Sequence, residues 1–423
     1  MANVKGKLLK NTTFKVEFPT LPSLGKSPVY AKLIQKQNHH DVLFLKFLTV
    51  RSLWFTTLKT GVPIKFSWTQ DGRTNQWYGY VSFIKKTTAS QRYKPMEIAC
   101  IGASFVLKGG NVEVHTNTTI TEVVKDIASK NGLNYIGEPH NKVFSQLTIS
   151  GHSYWEWIVE YGNKIGYGIL IDGTNLIFRP FDKLIEQTVS EAPILSWNKK
   201  WLPSTDYSRG NSLEVFEPLN GEFIEGTTAG RTLKHVAGID PVSGTESYFK
   251  GDPKTSGVGL RTDISDVLFS EYRSDQVVHN DIGAETVGKG AAALARFNMP
   301  AFVRAKGDPR IRPYSVVYIH DTGSLTDGYW LVKEVTHSFA MNNTYSIEMV
   351  VVTDGTGEND TSSFRRANPS VTGIINEGHV VATDSMLLRQ NTTELYQNGL
   401  IVKQLGQGFK RTPARWVSTI RKR

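Results

Sequence analysis

Hydrophobic and polar positions alternate between Val29 and Ser104, and turn-forming residues interrupt the alternation, which is typical of antiparallel strands. On either side of the turn sequence TQDGRTNQ, apolar residues or glycine occupy every second position: Ile64, Phe66 and Trp68 before it, and Trp77, Gly79, Val81 and Phe83 after it. The pattern predicts a hairpin that belongs to a small barrel or sandwich.

Two segments with a helical period follow. Thr119 and Glu122 have the spacing of a capping box, in which the hydroxyl accepts a first-turn amide and the carboxylate reaches back to the cap amide. Ser153 and Glu156 repeat this spacing. Apolar residues fall at i, i+3, i+4 and i+7 in both segments: Ile120, Val123, Val124 and Ile127, then Tyr154, Trp157, Ile158 and Tyr161. We predict two capped helices in a discrete module that ends with a hairpin at Asp172-Gly173.

The remaining segments differ in composition. Residues 219–259 are rich in Gly, Ser and Thr, which predicts a long insertion or mobile loop. Residues 284–298 favour a helix, and the strand-like segments AFVRAKG, SVVYIHD, GYWLVKEVTHSF and TYSIEMVVVT follow. Beyond residue 356, a polar linker leads to a predicted short hairpin at Asn398-Gly399 and a basic end.

The late strands repeat the plan of the early ones, although chance similarity between two β-meanders is an alternative explanation. We therefore predict an α+β, mainly β fold with two similar small β-barrel domains and an inserted two-helix α/β module. The predicted parts are a first barrel (1–105), the module (106–185), a second barrel with the Gly-rich insertion (186–356), and a linker with a basic C-terminal extension (357–423).

Composition narrows the class of protein. The hydrophobic content of 39% and the 45 aromatic residues indicate a folded, strand-rich protein, and no apolar run approaches the roughly 18 residues that a membrane-spanning helix needs. The N-terminal residues lack the apolar core of a secretory signal, so we expect no export by that route. Cys100 is the single cysteine and lies in an alternating segment, which predicts a buried thiol and excludes an intrachain disulfide.

Charge is concentrated at the C-terminus. The net charge is +10, and residues 398–423 contribute seven Lys and Arg with no acid, which leaves about +3 for the other 397 residues. Such a basic end is compatible with a solvated tail, a docking segment for a partner protein or a nucleic-acid contact.

Motifs for catalysis are weak. GKGAAA (288–293) fits a dinucleotide fingerprint but has no buried strand before it, so an Ala-rich helix is the better interpretation. The pair His39-His40 is interpreted as solvent-facing loop residues, and Ser153, Glu122 and Glu156 as helix-capping residues. Aromatic residues interleaved with lysines, as in WYGYVSFIKK, have the composition of a base-stacking surface or of one buried strand face. We predict no catalytic, cofactor-binding or metal-binding residues, no cofactor and no enzymatic activity.

Three segments in this order carry a resemblance to a known family. They are MEIACIGAS (96–104), the two capped helices with their hairpin (119–179), and AAALARFNMPAFVRAKGDPRIRPYSVVYIHDTGSLTDGYWLVKEVTHSFAMNNTYSIEM (291–349). Together they resemble the late control protein D family of contractile-tail phage baseplate hubs and the related hub part of type VI secretion VgrG proteins. The resemblance covers roughly residues 30–355. It does not extend to residues 219–259 or the C-terminus, and no appended lysozyme is recognisable after Thr356.

The resemblance implies a structural virion protein at the tail tip or baseplate, made in the host cytoplasm. It implies a homotrimer that adapts a sixfold tail tube to a threefold spike and lets DNA pass without specific binding. The implied partners are the tail tube or a tube-initiator protein, the spike and other baseplate proteins. Candidate interface residues are large aromatics and basic residues: Trp68, Trp77, Trp155, Trp330, Lys410, Arg411, Arg415 and Arg421. The alternatives are a tail-associated cell-wall hydrolase and a sugar- or DNA-binding module.

Overall fold

The structure is a computed structural model of the 423-residue chain. It describes residues 12–24, 27–70, 72–87, 94–189, 192–197, 212–219, 231–239, 244, 246–251, 268–274, 281–297, 299–322, 326–341 and 344–353. Strands outnumber helices among these residues, which confirms an α+β, mainly β fold. No described helix has the length and hydropathy required to cross a membrane.

Twenty strands and five α-helices make up the described fold. The strands are β1 (Thr13–Glu17), β2 (Tyr30–Lys36), β3 (Val42–Phe47), β4 (Pro63–Gln70), β5 (Arg73–Lys86), β6 (Met96–Gly102), β7 (Glu113–Thr119), β8 (Asn134–Gly137), β9 (Val143–Ile149), β10 (Tyr167–Asp172), β11 (Asn175–Pro180), β12 (Ile194–Ser196), β13 (Leu213–Pro218), β14 (Arg231–Ile239), β15 (Glu246–Gly251), β16 (Leu268–Ser274), β17 (Met299–Lys306), β18 (Val316–His320), β19 (Gly328–Ala340) and β20 (Thr344–Thr353). The helices are α1 (Ser52–Thr57), α2 (Ile120–Lys130), α3 (Tyr154–Lys164), α4 (Phe181–Val189) and α5 (Asp281–Ala295).

The chain divides into two compact units. Of the described residues, the larger unit contains those within Met1–Pro193, Leu213–Val317 and Trp330–Gly355, and the smaller contains those within Ile194–Ser212 and Tyr318–Tyr329. In the smaller unit, β12 pairs in parallel with Tyr318–His320. In the same unit, Asp327 accepts hydrogen bonds from the amide and hydroxyl of Thr322 and lies 2.9 Å from His320 Nδ1. Burial opposes the charged form of both side chains, but the contact between them lowers the pKa of Asp327, with help from the Thr322 bonds, and raises the pKa of His320.

The main sheet contains the same strand order twice. Its continuous path is β1-β4-β5-β6-β3-β2-β19-β20-β17-β13, and β18 pairs with β19. The first half, β4-β5-β6-β3-β2, and the second half, β18-β19-β20-β17-β13, follow the same 3-4-5-2-1 order when their strands are numbered along the chain. Antiparallel pairing of β2 with β19 joins the two halves.

Each half also carries a β-bulge at the equivalent step. Val81 pairs with Cys100 and Phe83 with Ala99, so Ser82 is the extra residue between β5 and β6. The pairing of β19 with β20 shifts in the same way at Lys333. A bulge bends a strand and increases its twist, so both halves bend at corresponding positions.

The first bulge corrects one detail of the predicted hairpin. Trp77, Gly79 and Val81 lie on the buried face, as the alternation predicts, but Phe83 is 58% exposed. Because Ser82 is inserted without a cross-strand partner, Phe83 moves to the outer face and Ile84 takes the inner position opposite Ile98. A bulge leaves no signal in a hydrophobic pattern that continues through it.

Aromatic side chains of the two halves share one core on the inner face of the sheet. Phe66 lies 5.3 Å from Phe339 between ring centroids, and Trp68 lies 5.6 Å from the same ring. The Trp68 indole N–H donates to the Tyr345 hydroxyl at 3.2 Å. The inner face of β4 therefore packs against that of β19 and β20.

The two predicted capped helices are present as α2 and α3, and the segment that contains them is called the module below. Its sheets are β10-β11-β8 and β7-β9, and α2 and α3 pack their apolar stripes into one core with them. The Thr119 hydroxyl accepts the Glu122 amide at 3.1 Å, and the Ser153 hydroxyl accepts the Glu156 amide at 3.2 Å. The return hydrogen bond of the predicted capping box, from the Thr119 amide to the Glu122 carboxylate, is absent at α2. The Glu122 carboxylate accepts the Thr118 hydroxyl instead.

Part of the predicted Gly-rich loop forms strands. β14 and β15 fall within residues 219–259 and join β16 in a three-stranded sheet of order β15-β14-β16. α5, predicted at 284–298, begins at Asp281 and ends at Ala295. Helices α1 and α4 and strand β1 are not predicted by the sequence pattern, because their apolar stretches are short. The predicted hairpin at Asn398-Gly399 and the basic end lie outside the described residues.

Candidate functional site at the junction of sheet and module

The turn between β2 and β3 contacts both the module and the loop before β18. Asn38 adopts a left-handed conformation with φ of 62°, which Asn tolerates better than most residues. Its backbone carbonyl accepts the Trp155 indole N–H at 3.4 Å, and its side-chain oxygen accepts the Tyr314 hydroxyl at 3.2 Å. One turn of the sheet therefore ties together two elements that are distant in sequence.

His40 packs inside this junction, contrary to the prediction that both His39 and His40 face solvent. Its ring centroid lies 5.0 Å from that of Trp155, and its Nδ1 lies 2.8 Å from the Ser104 hydroxyl. Burial is the main cause that lowers the pKa of His40, and the positive charge of Lys108 lowers it further. His39 is exposed, as predicted.

Asp41 carries the most unusual carboxyl group of the junction. Oδ2 accepts the Gln35 side-chain amide at 2.7 Å and the Trp77 indole N–H at 3.1 Å. Burial raises the pKa of Asp41 to about 6, although both hydrogen bonds act in the opposite direction. The carboxyl lines a cavity of about 40 Å³, which is room for a few water molecules. The sequence signal was a single acid directly before the apolar strand VLFLKF.

The module is held at further points of direct contact. Arg312 forms an ion pair with Asp172 at 3.0 Å, in the turn of the β10–β11 hairpin. Gly290 of α5 lies so close to Gly166 that an added Cβ at position 290 would stand 2.5 Å from the Gly166 amide nitrogen. Gly290 thus permits close backbone packing, and a Cβ at Gly288 would meet the Phe249 ring, so both glycines of the rejected dinucleotide motif have packing roles.

The four predicted interface tryptophans are buried within the chain. Trp330 has no exposed surface and Trp68 is 2% exposed; Trp77 and Trp155 are 5% and 7% exposed. Trp77 and Trp155 belong to the junction, whereas Trp68 belongs to the shared aromatic core. Lys410, Arg411, Arg415 and Arg421 lie outside the described residues. A role in interfaces between chains stays a prediction for all eight.

One cluster in the described part of the chain combines potential metal ligands: Glu113, His115 and Asp126. Lys130 already lies between the two carboxylates, 3.2 Å from Glu113 and 3.0 Å from Asp126. Glu113 also accepts the Tyr154 hydroxyl at 2.8 Å. These bonds give the cluster a structural role, which is to join β7 to α2 and α3.

The Cys100 thiol is buried, as predicted, and burial raises its pKa. A thiol with a raised pKa remains protonated and is a poor nucleophile at neutral pH. Cys100 therefore acts as a small apolar residue of β6.

Solved structures show the same fold in phage tail proteins. The tail protein of Neisseria meningitidis MC58 superimposes with a TM-score of 0.55 at 12% identity, covering 83% of this chain and 99% of that protein. The 43 kDa tail protein of prophage MuSo2 from Shewanella oneidensis gives a TM-score of 0.55 at 12% identity, covering 81% of this chain and 98% of its own. No protein-family model and no curated protein matches the sequence. The chain thus has the fold of phage tail proteins, in agreement with the resemblance found in its sequence.

Proposed function

We propose that the protein is a structural hub of a phage tail baseplate and forms a trimeric ring. The repeated 3-4-5-2-1 strand order, with a bulge at the same step of each half, is the observation that carries this proposal. Three chains with two similar halves each present six quasi-equivalent surfaces. Such a ring adapts a sixfold tail tube to a threefold spike.

In this proposal, each half corresponds to one predicted tube-like barrel and the module lies between them as a buttress. The junction supports this role, because the module contacts the β2–β3 turn of the first half and Arg312 ahead of β18. The proposed partners are the tail tube or a tube-initiator protein, the spike and other baseplate proteins. The proposed location is the tail tip of the virion after synthesis in the host cytoplasm.

The lumen of the proposed ring passes DNA without specific binding. Each phosphate that a protein neutralises adds salt-dependent affinity, which would slow passage. The charge of about +3 on residues 1–397 is compatible with weak contacts. The basic residues beyond 397 are proposed to dock a neighbouring tail protein.

Light scattering on the purified chain at two salt concentrations tests the proposal. We expect a mass near three times the 47.2 kDa of one chain, and apolar interfaces should keep that mass unchanged at high salt. A single-chain mass at all concentrations and salts would contradict a self-assembling ring. Release of fragments from purified peptidoglycan would favour the cell-wall hydrolase instead.

A further inference from the structure

The outer face of the first half carries a contiguous apolar patch. Phe44 and Phe83 are 44% and 58% exposed, and both pair directly with Ala99 across neighbouring strands. In the next row, Ile101 pairs with Tyr80. Directly opposed residues have Cβ atoms about 5 Å apart, so these side chains form one surface. We call these five residues the outer apolar patch. Contiguous exposed apolar surface marks an interaction site.

Lysines surround this patch. Lys32 lies directly opposite Phe44 and forms no ion pair with a carboxylate of the described residues. Lys46 and Lys85 share Glu97, each at 3.7 Å. Three lysines against one glutamate leave an excess of positive charge at the rim. A complementary partner therefore presents apolar side chains together with carboxylates.

The chain itself offers such a surface at the other end of the sheet. Strand β13 pairs only with β17 among the described residues, so it is an edge strand there. Glu214 and Glu217 are exposed and have no ion pair with described residues, and Leu219 is 51% exposed. Phe216 anchors the strand by packing against Trp330 with 5.4 Å between ring centroids. We call Glu214, Glu217 and Leu219 the acidic edge.

We infer that the outer apolar patch of one copy receives the acidic edge of a second copy. The contact is heterologous, because two different surfaces of the chain meet, and such contacts form a closed ring when the rotation between copies closes. The inference rests on the proposed ring and names the surfaces that would build it. The two glutamates complement the lysine rim, and the exposed Leu219 offers an apolar side chain to the patch.

Disulfide trapping tests the contact directly. Lys32→Cys and Glu217→Cys in one chain should give linked species that stop at three copies on mild oxidation and disappear with reductant. The single variants are the controls, and the buried Cys100 should not react. If light scattering gives a threefold mass but no disulfide-linked species forms, the docking is wrong and the ring remains. If linked species larger than three copies form, the docking is supported and the threefold ring is contradicted. A single-chain mass without trapping overturns both.

Charge exchange gives a second test. Lys32→Glu alone and Glu217→Lys alone should each weaken self-association about tenfold or more, and the double variant should recover most of the loss. Glu246→Lys, on an exposed position of β15, is the matched control and should leave association unchanged. Additive losses in the double variant overturn the inference.

Truncation of the patch separates the protein partner from DNA. Phe83→Ser should weaken self-association, and Val143→Ser, which alters a similarly exposed side chain of the module, should not. If Phe83→Ser instead lowers affinity for a fluorescent single-stranded oligonucleotide and leaves self-association intact, the patch binds nucleic acid and the inference fails.

Discussion

The outer faces of the two sheet halves can be compared position by position. The row Phe44, Ala99 and Phe83 of the first half corresponds to Phe302, Val350 and Glu334 of the second. The next row corresponds as well, because the ion pair of Lys46 with Glu97 has its equivalent in Arg304 with Glu348 at 3.3 Å. The halves therefore share part of their outer face as well as their strand order.

Two positions of these rows differ in charge. Phe83 of the first half corresponds to Glu334 of the second, and Lys32, opposite Phe44, corresponds to Glu217, opposite Phe302. Both replacements make the second half more acidic. Because these side chains point away from the core, the sheet itself does not require them. The two halves thus keep the same strand order with outer-face side chains of different charge.

The largest expected effect concerns the core that both halves share. Trp68→Ala should lower the free energy of unfolding by about 3–5 kcal/mol, because it leaves a cavity and removes the donor to Tyr345. Urea unfolding followed by fluorescence and circular dichroism should show one transition at a lower midpoint. Met341→Ala, at a 70% exposed position, is the control. Separate transitions for different signals would show that the halves unfold independently.

Lowering the pH should change the stability of the fold through one titratable group in each half, and the two changes have opposite sign. Burial lowers the pKa of His337 from 6.5 to about 4, so the unfolded chain binds more protons in that window and stability is lost as the pH falls. The pKa of Asp41 is raised from 3.8 to about 6, so the folded chain binds more protons and stability is gained as the pH falls. The two contributions partly cancel in the native protein.

Single substitutions should reveal the two opposing slopes. From pH 7 to pH 5, Asp41→Asn should remove a gain of about 1 kcal/mol, and His337→Gln should remove a loss of about 2 kcal/mol. Urea midpoints at both pH values measure the slope, which is independent of any constant destabilisation by the substitution. Equal slopes in the two variants would contradict the assigned pKa directions.

The outer apolar patch should matter little for folding. Phe83→Ser should change the free energy of unfolding by about 1 kcal/mol or less, because more than half of the ring is already in water. Unfolding should be measured at a concentration where the chain is monomeric. A loss as large as that of Trp68→Ala would mean that Phe83 belongs to the core of the chain.

The smallest effect is expected at the ion pair of the second half. Arg304→Gln should cost about 0.5 kcal/mol or less, because both side chains are 45% exposed and water screens their attraction. Thermal unfolding at low and high salt measures it, and salt should reduce even this difference. A salt-independent loss would indicate contacts of Arg304 other than the ion pair.

Local patterns in the sequence predicted the elements but could not reveal how they meet. The caps at Thr119 and Ser153 and the stripes of α2 and α3 depend on residues within one turn of each other, so the sequence reveals them. The junction joins Asn38 to Trp155 and Tyr314, which are more than a hundred residues away. Likewise, Phe83 points outward because of a bulge that forms when β5 pairs with β6. The alternation of hydrophobic residues in the sequence does not reveal this bulge.

The contact between Gly166 and Gly290 has a mechanical consequence. Two backbones that touch without side chains between them have no rotamers that can yield under compression. Force applied to α5 is therefore passed directly to the backbone at the end of α3. Such a joint would transmit force between α5 and the end of α3 with little deformation.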